Sequence, residues 1–502
     1  MPQPPSRCSA PHLWLFALLA VALSPLPAAG QDPLPFPTVF AEGASGRAPE
    51  GLAWRPDGEL LAFFWAEGEQ RELWGLEAPG GPPRRLIPAD LLPAGCSARR
   101  PPGGCTFAWS PDGGALLFTA GGDLFLHDLA SGRGRRLTET AAEEEGAAFS
   151  PRGDRIAFVR EANLHLLDLA TGREEALTSD GRPDEILNGT TDWVYWEEIW
   201  SRDATGFWWR PDGGAIAFYR FDVRQVGEYP LLDYGEELYP RLRRQRYPHP
   251  GGANAEVRIG ILDLASREIR WLATGDRPDA YLVRAAWSPD GRKLAVQRLD
   301  RGQDRLDLLF CSPADGACAL RLTERWPTWV NLGDEFRHLA DGGFLWGSDR
   351  DGWRRLYRYP AEGDEAVRLV PDGWAIESVA GLAPGEEEAL AVAYRTEGLG
   401  PAERQVLALP LDGAGGVRQL TSGRGWHGAL AAPRTGLWVE RASDADAPRA
   451  PRLRRLDGAE VATLPFAAPE GYDPATLPQW KFLTIPGPGA SRLPARMLLP
   501  PA

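Results

Sequence analysis

Trp54-Arg55-Pro56-Asp57-Gly58, Trp109-Ser110-Pro111-Asp112-Gly113, Phe149-Ser150-Pro151-Arg152-Gly153, Trp209-Arg210-Pro211-Asp212-Gly213 and Trp287-Ser288-Pro289-Asp290-Gly291 are five copies of one phrase, and they decide the fold. Pro presets the first turn angle, Asp can bond the backbone, and Gly accepts a positive φ, so each copy reads as strand, tight turn, strand. The runs that follow, such as Ala115-Leu116-Leu117-Phe118 and Ala215-Ile216-Ala217-Phe218, are apolar enough for buried strands. After several copies a further strand ends in Asp-Leu, as in Leu124 to Leu129, Leu164 to Leu169 and Ile259 to Leu264. Such a unit is a four-stranded blade, and the chain reads as all-β, a β-propeller over residues 46–466.

The clear copies lie from about 40 to nearly 80 residues apart, which suits blades with insertions. The longest gap, Trp209 to Trp287, holds the polar stretch Tyr229 to Pro250, expected to leave its blade. Less perfect copies are expected at Phe344 to Trp353 and around Leu420-Thr421-Ser422-Gly423. Sandwich arrays of strands would share the turns but not the aromatic Pro-Asp-Gly period.

The composition agrees. The 502 residues are 43% hydrophobic with a formal net charge of −14, and the 57 Gly and 47 Pro punctuate apolar runs throughout. Lysine occurs only at Lys293 and Lys481, and the arginines are scattered, so no basic patch points to nucleic acid. Residues 1–30, with Arg7, the apolar run Leu13 to Leu23 and Ala28-Ala29-Gly30, read as a secretory signal cleaved before Gln31, with residues 31–45 as a lead segment. An uncleaved anchor is the rival reading. The expected location is periplasmic or extracellular.

Beyond the signal, Cys96, Cys105, Cys311 and Cys318 form two close pairs, as expected of disulfides in an oxidising compartment. Cys311 and Cys318 flank a turn-like stretch that could close a hairpin. Four buried thiols are the alternative; a metal centre would want C-x-x-C spacing, and no metal or cofactor is predicted.

One segment carries candidate chemistry. Asp192-Trp193-Val194-Tyr195-Trp196-Glu197-Glu198 sets two adjacent carboxylates among aromatic rings, where negative charge kept partly from water can bind a cation. An adjacent Glu pair is more often a solvated helix face; the rings Trp193, Tyr195, Trp196 and Trp200 argue against that here. The sequon Asn188-Gly189-Thr190 reads as a turn.

This segment, with Leu187-Asn188-Gly189 before it, Phe207-Trp208-Trp209 and Pro211-Asp212-Gly213 after it, resembles the N-terminal propeller of the dipeptidyl peptidase IV family of secreted serine exopeptidases. Tyr247-Pro248 before Gly251-Gly252-Ala253-Asn254, and Leu345 to Gly352 before Leu356-Tyr357, extend the match, and Val39-Phe40-Ala41 is similar to how bacterial members begin. The resemblance implies eight blades capping an α/β-hydrolase domain, with Glu197 and Glu198 gripping the N-terminal ammonium of a peptide and Trp193, Tyr195 and Trp196 lining that pocket. It also implies two partners, the hydrolase domain and, as is common in the family, a second copy in a homodimer.

Two departures stand out. Position 196 is Trp where some relatives carry a third acid, and Glu143-Glu144-Glu145 shows no arginine where some place one on substrate carbonyls. Residues 467–502 read as a linker and the first strands of a truncated hydrolase domain. No Gly-x-Ser-x-Gly elbow occurs, and His127, His165, His249, His338 and His427 fall among the repeats or their insertions, so no catalytic residue is assigned and the chain alone is expected to be inactive. A stand-alone binding propeller and a periplasmic protein-binding propeller are the alternatives.

Overall fold

In every copy of the phrase the glycine N–H closes the turn on the carbonyl three residues back: Gly58 on Arg55, Gly113 on Ser110, Gly153 on Ser150, Gly213 on Arg210 and Gly291 on Ser288, each at 2.8 Å. Those glycines all sit at positive φ, from 67° to 76°. Asp57, Asp112, Asp212 and Asp290 each accept the backbone N–H two residues on, at 2.8–3.0 Å. The phrase is thus a turn held by its own side chain.

The computed structural model describes residues 46–78, 80–98, 104–235, 238–276, 279–445, 448–469, 479–489 and 491–499. The signal and lead segments, residues 1–30 and 31–45, lie outside them. The described strands form eight antiparallel blades, at residues 50–87, 105–136, 144–176, 186–271, 281–325, 337–368, 374–419 and 426–463. Seven have four strands in sequence order, and the fourth has five. The whole is a β-propeller with very little helix.

The aromatic residue that opens the phrase ties blade to blade. Trp109 Nε1 donates to Ala53 O, Trp209 to Ala148 O and Trp287 to Trp208 O, in each case on the first strand of the preceding blade. Trp54 reaches Leu430 O in blade 8 at 3.3 Å, so the same bond closes the ring. Phe149 has no side-chain N–H to give. Each bond is worth about 1 kcal/mol. Packing contributes more, because burying one Leu or Phe is worth about 1.5–3 kcal/mol, and Leu61, Phe63 and Leu76 of blade 1 pack with Leu437, Val439 and Leu453 of blade 8. Apolar contact therefore holds the ring, and the Trp bonds set the spacing.

The imperfect copies beyond residue 330 fall elsewhere than expected. Phe344–Ser348 is the second strand of blade 6, so the turn closed by Gly352 N–H on Asp349 O joins strands two and three. Leu420-Thr421 follows the outer strand of blade 7 and does not open a blade; its Thr421 hydroxyl accepts Val406 N–H at 2.9 Å, as Thr138 accepts Leu124 N–H and Thr178 accepts Leu164 N–H. The repeating signal there is a hydroxyl cap on the third strand.

Blade 4 carries the Tyr229 to Pro250 excursion as a hairpin of Glu228–Asp233 and Arg241–Arg246. Gln479–Pro486 and Arg492–Leu499 pair as a further hairpin. Both disulfides form: Cys96–Cys105 with a Cα separation of 5.4 Å, and Cys311–Cys318, across paired strands, at 4.0 Å. Each closes a short loop, so the double variant Cys311→Ser/Cys318→Ser is expected to lose about 2–3 kcal/mol, read as a lower urea midpoint. No helix among the described residues is long and apolar enough to cross a membrane.

Candidate functional site

The first strand of blade 4 is broken, and the acidic segment fills the break. Ile186–Asn188 pairs with residues 220–222 and Phe207–Trp209 with residues 216–218 of the same partner strand. Between them the chain leaves the sheet and returns, and Tyr219 clamps both ends: its carbonyl accepts Gly189 N–H and its N–H donates to Gly206 O. Gly206 N–H also bonds Gly189 O, and a Cβ at Gly206 would lie 2.8 Å from Thr190 O, so only glycine closes the base. Asn188 is buried and its amide donates to Asp180, so the sequon is not presented to solvent.

Inside this excursion Val194–Ile199 forms a six-residue π-helical turn. Trp200 N–H donates to Tyr195 O, the five-back bond of such a turn, and Asp192 Oδ1 accepts Tyr195 N–H at 3.0 Å at its start. Three consecutive residues of the first strand of blade 5 then pin it. Leu282 N–H donates to the Tyr195 hydroxyl at 2.7 Å, Val283 O accepts Trp200 Nε1 at 2.8 Å, and Arg284 donates to Ile199 O at 3.0 Å. Tyr219 donates its hydroxyl to Leu282 O, so two tyrosines satisfy both backbone groups of one residue. Tyr195, Trp200, Trp208, Tyr219 and Phe221 pack edge to face, burying the underside of the turn. A π turn fixed this way is a rigid platform.

The predicted residues divide by role. Tyr195 is 3% exposed and lies within the wall, not on its surface. Trp193 is half-buried and packs against Tyr247 with ring centres 4.6 Å apart and planes tilted by 58°, which brings the chain after the insertion hairpin onto the turn; Trp196 is half-buried as well. Glu198 is exposed and has no hydrogen-bond or ion-pair partner among the described residues. Glu197 is already engaged: Arg202 Nε lies 3.0 Å from Oε2 and its Nη2 3.1 Å from Oε1, a bidentate pair, with the guanidinium 5.7 Å over Trp196.

Arg202 is the residue that the sequence reading did not pick out. Its position depends on Ser201 and Arg202 both holding left-handed backbone, at φ 52° and 72°, a conformation that costs non-glycine residues of order 1 kcal/mol or more each. Asp192 is the other electrostatic feature. Desolvation pushes its carboxyl up to about 6, against the opposing pull of the Tyr195 N–H. Glu145, on the first strand of blade 3, meets Thr190 at 3.3 Å, and desolvation raises its pKa too. Among the described residues no group of three or more His, Cys, Asp or Glu is placed to hold a metal ion.

A turn of this kind presents one free and one occupied carboxylate on a rigid aromatic base, which suits a small cation with several N–H donors. Comparison with known proteins agrees in family. The sequence model of the dipeptidyl peptidase IV N-terminal region matches residues 141–449. The chain is 27% identical over 284 residues to a probable dipeptidyl peptidase 4 of Trichophyton verrucosum, covering 54% of this chain and 32% of that protein. It is 28% identical over 216 residues to dipeptidyl peptidase 4 of Trichophyton rubrum, covering 40% and 27%. The match thus spans about a third of the length of these relatives. Among solved structures, Porphyromonas gingivalis dipeptidyl peptidase 4 superposes with a TM-score of 0.80 at 22% identity over 93% of this chain and 66% of that one. A putative dipeptidyl aminopeptidase IV of Bacteroides ovatus gives 0.72 at 20% identity over 91% and 65%. These two likenesses concern the fold.

Proposed function

The chain belongs to the dipeptidyl peptidase IV N-terminal region family, and from that premise we propose that the blade 4 excursion binds the free N-terminal ammonium of a peptide through Glu197 and Glu198. The observation that carries this reading is the anchored turn itself. It spends five aromatic rings and three hydrogen bonds to blade 5 on holding two adjacent acids in place. A merely solvated Glu pair would need none of that support. Glu197 pairs with the Arg202 guanidinium, so the pocket accepts a nitrogen cation. Charge-assisted bonds from an ammonium to such carboxylates are stronger than neutral ones.

Fixing the amine fixes the distance to a peptide bond further along the substrate, and that is how an exopeptidase counts residues. The propeller thereby gates and orients substrate for a secreted, dipeptide-releasing serine peptidase, located in the periplasm or outside the cell. Bond cleavage is assigned to an α/β-hydrolase portion, whose first strands the hairpin of Gln479–Pro486 and Arg492–Leu499 resembles. The two disulfides suit that oxidising location.

Binding of Ala-Ala to this propeller, followed by calorimetry, tests the reading without requiring catalysis. Glu198→Gln is expected to weaken binding about 10- to 100-fold, the worth of a hydrogen bond to a charged group. N-acetyl-Ala-Ala, which has no ammonium, is expected not to bind. Equal affinity of wild type and Glu198→Gln for Ala-Ala would remove the amine-binding role.

A further inference from the structure

We propose that Arg202 is a tethered counter-ion that competes with the ligand ammonium for Glu197, and so sets the affinity threshold of the site; the inference rests on the amine-binding reading above. The pair is bidentate, and the Arg202 side chain is 69% exposed while Glu197 is 29% exposed. Among the described residues the guanidinium is placed only by the Glu197 carboxylate and the face of Trp196. Nearby Arg284 is the contrasting case: it is locked by Asp334, by its neighbour's carbonyl and by Ile199 O, and works as a structural strut. Arg202 has no such lock, so it can swing into water with little loss.

The backbone is shaped to deliver this pairing. Two consecutive non-glycine residues, Ser201 and Arg202, take left-handed φ, and Arg202 N–H bonds Trp196 O at 2.6 Å. This reversal turns the chain back over the end of the π turn and carries the arginine onto the acid five residues earlier. With Arg202 in place Glu197 is compensated and Glu198 carries the one uncompensated negative charge of the pair. A ligand that binds Glu198 alone leaves Arg202 in place, whereas one that reaches both acids must displace it.

An exposed ion pair is a weak competitor, so the threshold is modest. Titrating Ala-Ala into the full chain, Arg202→Gly is expected to bind about two- to sixfold more tightly than wild type. Glycine is chosen because it accepts the left-handed backbone at this position. Arg202→Lys keeps the charge but not the two-pronged pairing, and is expected to fall between wild type and Arg202→Gly. With Glu197→Gln already present, Arg202→Gly is expected to add nothing, because the acid competed for is gone. A purely structural role would show the opposite, with Arg202→Gly and Arg202→Lys both weakening binding. If Glu198→Gln loses affinity while Arg202→Gly matches or falls below wild type, the counter-ion role is overturned and amine binding stands. If Glu197→Gln and Glu198→Gln both bind like wild type, the amine-binding reading falls and this inference with it.

Discussion

Replacing Glu440 with alanine is expected to destabilise the propeller by about 3–5 kcal/mol at pH 7, the cost of leaving buried charge without its partner. Glu440 is 2% exposed on the second strand of blade 8. Its Oε1 accepts the His427 Nδ1–H at 2.6 Å and its Oε2 the Arg454 Nε–H at 2.5 Å, so one carboxylate ties the first, second and third strands of its blade together. Among the described residues Arg454 has one other bond, to Gly458 O, and His427 Nε2 has none. Removing the acid strands both. Burial works against the Glu440 charge, but the bonds from His427 and Arg454 outweigh it and hold its pKa below the usual glutamate value. A lowered folded pKa stabilises above the unfolded value of 4.5 and loses that stabilisation as pH falls through the folded one. The deficit of Glu440→Gln is therefore expected to be full at pH 7 and to shrink below pH 4.5, measured as urea midpoints across pH. Blade 8 also closes the ring on blade 1 through Trp54 and their shared core, so its loss is felt beyond one sheet. The double variant Glu440→Leu/Arg454→Met is expected to cost clearly less than the sum of its parts, since Arg454 no longer stands as an unpaired charge and only His427 loses its partner. Strict additivity would show that Glu440 and Arg454 do not act as a pair.

That network was not readable in the sequence, and the reason separates what a pattern can carry from what it cannot. The Pro-Asp-Gly phrase was legible because turn geometry demands its residues at adjacent positions. In blades 6, 7 and 8 the equivalent turns are Leu339-Ala340-Asp341-Gly342, Ala383-Pro384-Gly385-Glu386 and Ala432-Pro433-Arg434-Thr435, and His338, Leu382 and Ala431 stand where the tryptophan stood. Gly342 N–H still closes on Leu339 O and Glu386 N–H on Ala383 O, so the turn survives without the Trp. The ring serves the preceding blade: in blade 6 His338 takes the role with a bond to the Ala286 backbone on the first strand of blade 5, whereas blades 7 and 8 keep the turn with Leu382 and Ala431 in its place. The same division runs through the site. Two adjacent acids among rings are visible as a string, but Trp193 meeting Tyr247, or Tyr195 and Tyr219 both serving Leu282, requires distant segments to have folded first. Arg202 lies only five residues from Glu197, yet its pairing rests on left-handed backbone at two residues that ordinarily avoid it.

Asp192→Asn is expected to stabilise the protein at neutral pH, by no more than about 3 kcal/mol, and to leave it unchanged near pH 3.5. The sign follows from the direction of the shift. Burial raises the folded pKa of Asp192 from 3.8 to about 6, so the folded protein holds its proton more tightly than the unfolded chain. Stability from that proton is fully present below pH 3.8 and is lost as pH rises through about 6. Above that point folding must bury a charge that, among the described residues, has the Tyr195 N–H alone to support it. Asparagine keeps an oxygen to accept that N–H and removes the charge, so the start of the π turn is preserved. Thermal unfolding of wild type and Asp192→Asn at pH 3.5, 5 and 7.5 reads this directly: the two curves should coincide at the lowest pH and separate upward. Coincidence at all three values would mean that the carboxyl titrates like a solvated one. The residue sits three positions before Tyr195 and five before Glu197, so wild type carries a destabilising charge at the base of the turn that presents the acid pair. Protein interiors rarely keep such a charge where asparagine would cap the turn as well, and sites that bind cations are where it has a use. Ala-Ala affinity in Asp192→Asn is accordingly expected to fall at pH 7.5 while stability rises, and a variant that gained stability with no loss of affinity would reduce Asp192 to a structural cap.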